Sequence, residues 1–221
     1  MSTLDDSTVQ RVLDVWFPDH ELTCPTIPEA TRLLWFRPSD EFDAKCSEFK
    51  PLVQDLASSY DKTSIVELAT SPKRALALVI LLDQISRNLF RGTRTVFEIY
   101  DPMAQAVAAY STAPERQFDI GENGEWKGCI PCRMWFVMPC MHSESLDMQS
   151  MGQVMAEKVL QDVDDAEGKK STEMLLMYLK EHVSVLEEFG RFPHRNEVLG
   201  KENTDSEKTW LQTNEFRWTK T

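Results

Sequence analysis

From Ala75 to Ile85 the chain is apolar nearly all round. A helix without a polar face has to be enclosed by other elements, so this segment is expected at the centre of the fold. Its start is written just upstream in Ser71-Pro72. Serine at the N-cap takes up a free backbone N–H, and proline at the first helical position lacks an N–H that would have had no helical partner. Gly92 is placed to end the helix. The longest uninterrupted apolar run, Ala75 to Leu82, is eight residues and too short to cross a bilayer.

Elsewhere apolar residues recur at three and four rather than at two, which predicts helices and argues against half-buried strands. A first helix over 8–16 carries Val9, Val12, Leu13 and Trp16 on one face and is stopped by Pro18. A second covers 28–36. A third begins at Ser39 or Asp40 and lines up Phe42, Cys46, Phe49 and Val53. Another spans 96–110. Residues 112–132, broken by Pro114, Gly121, Gly124, Gly128 and Pro131, predict the longest loop. Helices resume over 143–163 and 171–189, joined by the acidic turn 162–168, and Gly190 ends the second of them. Thr204-Asp205-Ser206-Glu207 reads as a capping box that opens a terminal helix, with Trp210, Leu211 and Phe216 available for docking. The sequence holds no exact internal repeat. The expected architecture is all-α, one domain over 1–221, built of antiparallel helix pairs.

At 221 residues and 42% hydrophobic, the chain is expected to bury roughly 70% of its unfolded surface without staples. The net charge of -12 repels nucleic acid and anionic lipid at long range, so neither is an expected partner. Five cysteines, Cys24, Cys46, Cys129, Cys132 and Cys140, are an odd number in a mid-sized chain and do not read as a disulfide framework. The acidic start Met1-Ser2-Thr3-Leu4-Asp5-Asp6 has no apolar signal segment. A cytoplasmic protein is expected.

Three polar segments interrupt the helical pattern. In Leu82-Asp83-Gln84-Ile85-Ser86-Arg87-Asn88-Leu89-Phe90-Arg91-Gly92, Asp83 and Arg87, Gln84 and Asn88, and Arg87 and Arg91 are each four apart, on one side of a helix. On a solvated face such an ion pair contributes about 0.3–0.5 kcal/mol. Continuing an enclosed helix, the same groups belong either to a buried hydrogen-bond network or to a ligand site. Phe136-Val137-Met138-Pro139-Cys140-Met141-His142-Ser143-Glu144-Ser145 leads to a helix start that Ser143 can cap and that Glu144 suits by its charge. His142 has no such local explanation. Phe189-Gly190-Arg191-Phe192-Pro193-His194-Arg195-Asn196 predicts a rigid, non-helical turn rich in donors, although cations capping a helix C-terminus are the simpler account. Arg87, Arg91, Arg94, Arg191 and Arg195 would together make a positive pocket in a negative protein, and guanidinium forks suit carboxylate or phosphate.

Taken together, Leu82-Asp83-Gln84 with Arg87-Asn88, Pro139 with His142-Ser143-Glu144, and Phe189 to Asn196 with Leu199-Gly200 resemble the family known as domain of unknown function 924. Val12-Leu13, Trp16-Phe17 and Trp35-Phe36 also fit, so the resemblance covers nearly the whole chain. It implies a tetratricopeptide-like, right-handed helical array and says little about function. Ser145 stands where that family usually carries an acidic residue, and the cysteines near 130–140 are not part of its pattern.

The chemistry open to such a chain narrows by elimination. No Gly-rich phosphate loop, nucleophile elbow or HExxH motif occurs. Cys129-Ile130-Pro131-Cys132 lacks the strand–helix–strand context of a redox site, and with Cys140 and His142 it makes a zinc set of unconventional spacing. The expected site is a pocket for a small molecule, one bearing a carboxylate suiting it well, with no cofactor and no metal. It performs isomerisation, cyclisation or proton transfer through His142, His194 and Asp83. Gln84, Arg87, Asn88, Arg91, Glu144, Arg191, Arg195 and Asn196 bind the ligand. Two alternatives stand beside it: a peptide-binding groove, and a metal-dependent enzyme using His142, His182, His194 and Glu144. The oligomeric state is not legible in the sequence.

Overall fold

The computed structural model describes residues 4–18, 22, 26–37 and 39–216, and among them all regular structure is helical. The first three residues and Cys24 lie outside the described residues. Asp5 caps α1 (Asp6–Trp16), its carboxylate accepting the Thr8 N–H at 2.8 Å. The helix buries Val9, Val12, Leu13 and Trp16, the face read from the spacing. Next comes α2 (Glu29–Phe36), followed by α3 (Asp40–Ser47), which Ser39 caps. The third expected helix is two helices: α4 (Lys50–Ser59) starts afresh with Pro51 in its first turn, where a missing N–H does no harm. Phe42, Cys46, Phe49 and Val53 still share one buried surface.

The central segment runs through α5 (Pro72–Val79), a π-helical turn (Ile80–Ile85) and α6 (Ser86–Leu89). The Ser71 hydroxyl accepts the Arg74 N–H, as the Ser-Pro start implies. Every residue from Ala75 to Ser86 is buried, including Asp83 and Gln84. The helix stops at Leu89, ahead of Gly92, which takes a left-handed φ of 71°. A second π turn (Val96–Tyr100) leads into α7 (Asp101–Thr112). Pro102 cannot donate to the backbone a turn earlier, and the wider turn falls just before it.

The largest departure from the sequence reading is α8 (Ile130–Met141), twelve residues where a loop and an apolar lead-in were expected. Pro131 sits in its first turn and Pro139 inside it. All residues from Ile130 to Val137 are buried, so the helix shows no polar face and therefore no periodicity to read. The following helix, α9 (Leu146–Asp162), is capped by Ser145 rather than Ser143, which leaves Glu144 outside its first turn. Asp165 caps α10 (Ala166–Phe189), which begins at residue 166 instead of 171, and Gly190 closes it at φ 68°. After it the chain makes a 3-10 turn (Pro193–Arg195) and α11 (Asn196–Leu199), so the expected non-helical turn is short helix. In α12 (Asp205–Thr213) the Thr204–Glu207 capping box is fully formed.

α8 packs on α5, α7, α9 and α10. Trp135 of α8 meets Trp35 edge-on at 4.8 Å and Trp16 at 5.1 Å, while the Trp35 indole N–H donates to the Trp16 carbonyl at 2.7 Å. Further along, α9 is pressed between its neighbours at Gly152. A Cβ there would lie 2.8 Å from Cys140 Cβ and 3.3 Å from Leu179 Cδ2. Gly152→Ala is therefore expected to lower stability by about 1–3 kcal/mol in urea unfolding, reversing the gain that alanine gives in an open helix. An unchanged or higher midpoint would show that the helices part without cost. Val185, Leu186 and Phe192 form a separate cluster that takes in Phe189, Trp210 and Phe216.

Candidate functional site

The π turn sets Asp83 entirely inside the protein, facing the C-terminal end of α8. His142 Nδ1 lies 2.9 Å from one Asp83 oxygen and 3.1 Å from the other, and the Gln84 side-chain amide donates to the same carboxylate. A carboxylate only accepts, so this contact fixes a proton on Nδ1. Gln149, fully buried on α9, donates to the carbonyls of Met141 and Ser143 at 2.7 and 2.8 Å and holds the turn that carries His142. One turn on from Asp83, Arg87 donates to the Asp83 carbonyl at 2.9 Å and to Asp101 at 2.7 Å. Arg195 reaches in from the 190s turn, donating to the His142 carbonyl at 2.9 Å with Nη1 3.8 Å from Asp101. Its guanidinium lies over the rings of Phe97 and Phe192, at 4.7 and 4.6 Å.

Burial alone would raise the Asp83 carboxyl, but the facing charges of His142 and Arg87 and the bonds from His142 and Gln84 hold it below the ordinary range. Burial, reinforced by neighbouring Arg87, pushes Arg195 down to about 10. Burial likewise pushes His182 and His194 down to about 3, with Arg195 and His142 adding to it in both cases. Both imidazoles are therefore neutral at pH 7. The expected positive pocket is instead balanced: Arg87 and Arg195 are matched by Asp83 and Asp101. The balance leaves polar capacity unused. Arg87 Nη2, Arg195 Nε and Asp101 Oδ2 are buried and take no hydrogen bond among the described residues. The partly exposed edges of His142 and Arg87, 16% and 24% of their side chains, connect the cluster to solvent.

Of the residues singled out in the sequence, Asp83, Gln84, Arg87, His142 and Arg195 come together. Glu144 and His194 flank them: the Glu144 carboxylate accepts the Phe192 N–H at 2.9 Å and pins the 190s turn, and His194 sits against Phe192, ring centroids 5.8 Å apart. Five others go elsewhere. Asn88 and Arg91 turn to Asp43 of α3, at 2.8 and 3.5 Å, because Asn88 lies about 100° round the helix from Arg87 and Arg91 is beyond its end. Arg191 forms a two-pronged pair with Glu207, at 2.6 and 2.8 Å, that fastens α12. Asn196 donates to Asn203 at 2.6 Å. Arg94 pairs with Glu98 in the open. Asp101, which binds both arginines, was missed. Its signal was available, since it is the one acidic residue from Ile99 to Tyr110.

His182 spends Nδ1 on the Tyr178 carbonyl at 2.7 Å. Among the described residues no three His, Cys, Asp or Glu side chains are gathered as metal ligands, so the two metal sets read from the sequence do not assemble there. Cys129 takes the N-cap position of α8, and its thiol is held down chiefly by a hydrogen bond with Cys132, whose own thiol burial pushes well up. Beside the cluster, a hollow of about 280 Å³ lies between the Glu144–Asp147 stretch and the end of α10 at Leu186 and Gly190.

Fold and site together define a class: an all-helical protein built around an enclosed carboxylate–imidazole pair crossed by two arginines. The family described as bacterial protein of unknown function (DUF924) matches residues 12–215, and the chain belongs to it. A solved structure of a protein of unknown function from Agrobacterium tumefaciens is similar to it, with a TM-score of 0.65 and 26% identity over 94% of this chain and 98% of that one. No curated protein matches the chain. Among the described residues no helix is long and apolar enough to cross a membrane.

Proposed function

We propose that Asp83 and His142 form a general acid–base pair acting on a small molecule that bears a carboxylate, in an isomerisation, cyclisation or other proton transfer that needs no cofactor. The observation that carries this reading is the contact of His142 Nδ1 with both oxygens of a fully buried carboxylate. Such a contact fixes the tautomer and leaves the Nε2 lone pair to take a proton from a substrate. Arg87, a quarter of whose side chain is exposed, supplies the charge for a carboxylate, with buried Arg195 behind it. Neutral His194 serves as an orienting hydrogen-bond group. Four described cysteines without a disulfide support a reducing, cytoplasmic setting.

The architecture we infer for α7 to α10 is a tetratricopeptide-type right-handed array. Its support is the packing of each of these helices on the next and the short connections between α8, α9 and α10. That array favours one second reading, a groove for a peptide tail. The hollow at Glu144 and Leu186 beside exposed Leu146 is its supporting feature.

The test is deuterium wash-in. Wild-type protein is incubated in D2O with a panel of 2-oxo, 3-oxo and 2-hydroxy acids, and exchange at the carbon beside the carbonyl is followed by proton NMR. Wild type is expected to exchange at least one member. His142→Asn is expected to be roughly 10²–10⁴-fold slower at an unchanged Tm. No exchange across the panel, or an equally active His142→Asn, would remove the acid–base reading and leave the peptide groove.

A further inference from the structure

At the far end of α8 from His142, the loop of residues 113–129 wraps a hollow of about 330 Å³. We infer that this hollow is a second ligand site, for a small organic carboxylate of amino-acid size. It does not depend on the Asp83–His142 chemistry.

The site is built around Arg133, which lines the hollow and is 2% exposed. Its Nη1 donates to Asp162 at 2.7 Å and to the Lys127 carbonyl at 2.7 Å, and its Nη2 to Asp119 at 3.2 Å. Its Nε is buried and takes no hydrogen bond among the described residues. Lys127 lies 3.3 Å from Asp162, and Lys158 of α9 acts on Asp119 from the rim. Three cations against two carboxylates leave the hollow at +1 in a chain of -12. Burial raises the Asp119 carboxyl in spite of Arg133, so the negative side of that balance is the weaker one.

Two further observations point the same way. Gln117, on the wall, is the one described non-glycine residue with a positive φ, 52°. Left-handed backbone at a side-chain-bearing residue is strained, and such strain collects at ligand sites. The wall also has an apolar side, Ile120 and Met155, on which an alkyl group can rest. Volume and lining together match the lower end of small-molecule sites. The carboxylate would meet the Lys158 ammonium, with the Arg133 charge behind it and its hydrocarbon part on Met155.

The probe is 3-methylbutanoate, with 3-methylbutanamide as its uncharged counterpart, titrated into protein carrying methyl-labelled methionine. The Met155 resonance is assigned through Met155→Leu. Saturable movement of that resonance is expected with the carboxylate, at a Kd on the order of 1 mM, and at least tenfold weaker binding of the amide. Lys158 is exposed, so Lys158→Met should weaken the carboxylate several-fold without changing Tm. The inference is overturned if Met155 does not respond up to about 20 mM, if the amide binds equally, or if Lys158→Met binds as wild type does. It is also overturned if the carboxylate moves Met138 but not Met155, which would put binding at the other end of α8.

Discussion

Asp83→Ala is expected to destabilise the protein by about 3–5 kcal/mol, a fall in Tm of roughly 10 °C for a chain of this length. The effect is large because the carboxylate is fully enclosed and answers two charged or chargeable groups, His142 at 2.9 Å and Arg87 at 3.6 Å. Removing it leaves the Arg87 guanidinium with Asp101 as its one remaining carboxylate among the described residues and strands Nδ1 of His142. Asp83→Asn keeps the shape and one acceptor oxygen, so it should cost less than alanine. The control is Asp43→Ala, which removes a partner of Asn88 and of half-exposed Arg91. Surface pairs of that kind contribute about 0–1 kcal/mol. Chemical unfolding of the three variants checks the order. A loss under about 1 kcal/mol in Asp83→Ala would mean that the pair is not fixed by its surroundings.

Acid is expected to undo the protein well above the range where its carboxylates protonate. His182 and His194, ordinarily titrating at 6.5, are pushed down to about 3 by burial in the fold. Between those values the unfolded chain binds protons that the folded chain refuses, so stability is complete above about pH 6.5 and falls as pH drops toward 3. Each histidine contributes about 1.4 kcal/mol per pH unit at the steepest point. Asp83 adds a further loss only below its ordinary carboxylate value, since its folded form holds on to its charge longer. Urea midpoints should be level from about pH 9 to 7 and decline steeply from about 6 to 4, with His194→Gln halving the slope. A midpoint unchanged down to about pH 4.5 would show that these imidazoles are not buried as neutral groups.

What the sequence disclosed of this fold is what neighbours within four residues decide. Ser71 with Pro72, Thr204 with Glu207, and Gly190 after Phe189 all do in the structure what their chemistry implies. α8 stayed hidden because Trp135, Phe136 and Val137 are buried on every side and Pro139 reads as a break. The split of α3 from α4 rests on one proline whose meaning depends on where a helix starts. At the site, five of the singled-out residues converge, and the arginine list overstated its charge. Arg91 and Arg191 found acids far along the chain, Asp43 and Glu207, and such pairings are set by tertiary packing. Asp101 was overlooked because an acid beside a proline looks like ordinary helix-start chemistry.

The central claim is that His142 carries its proton on Nδ1 against Asp83 and offers Nε2 to solvent. Long-range proton–nitrogen NMR on uniformly labelled protein near pH 8 reads this directly, with His142→Asn assigning the ring. The expected result is a protonated Nδ1 whose proton is shifted downfield, and a bare Nε2 that a soluble paramagnet reaches. A ring protonated on Nε2, or one whose Nε2 is sealed from the paramagnet, would contradict the account.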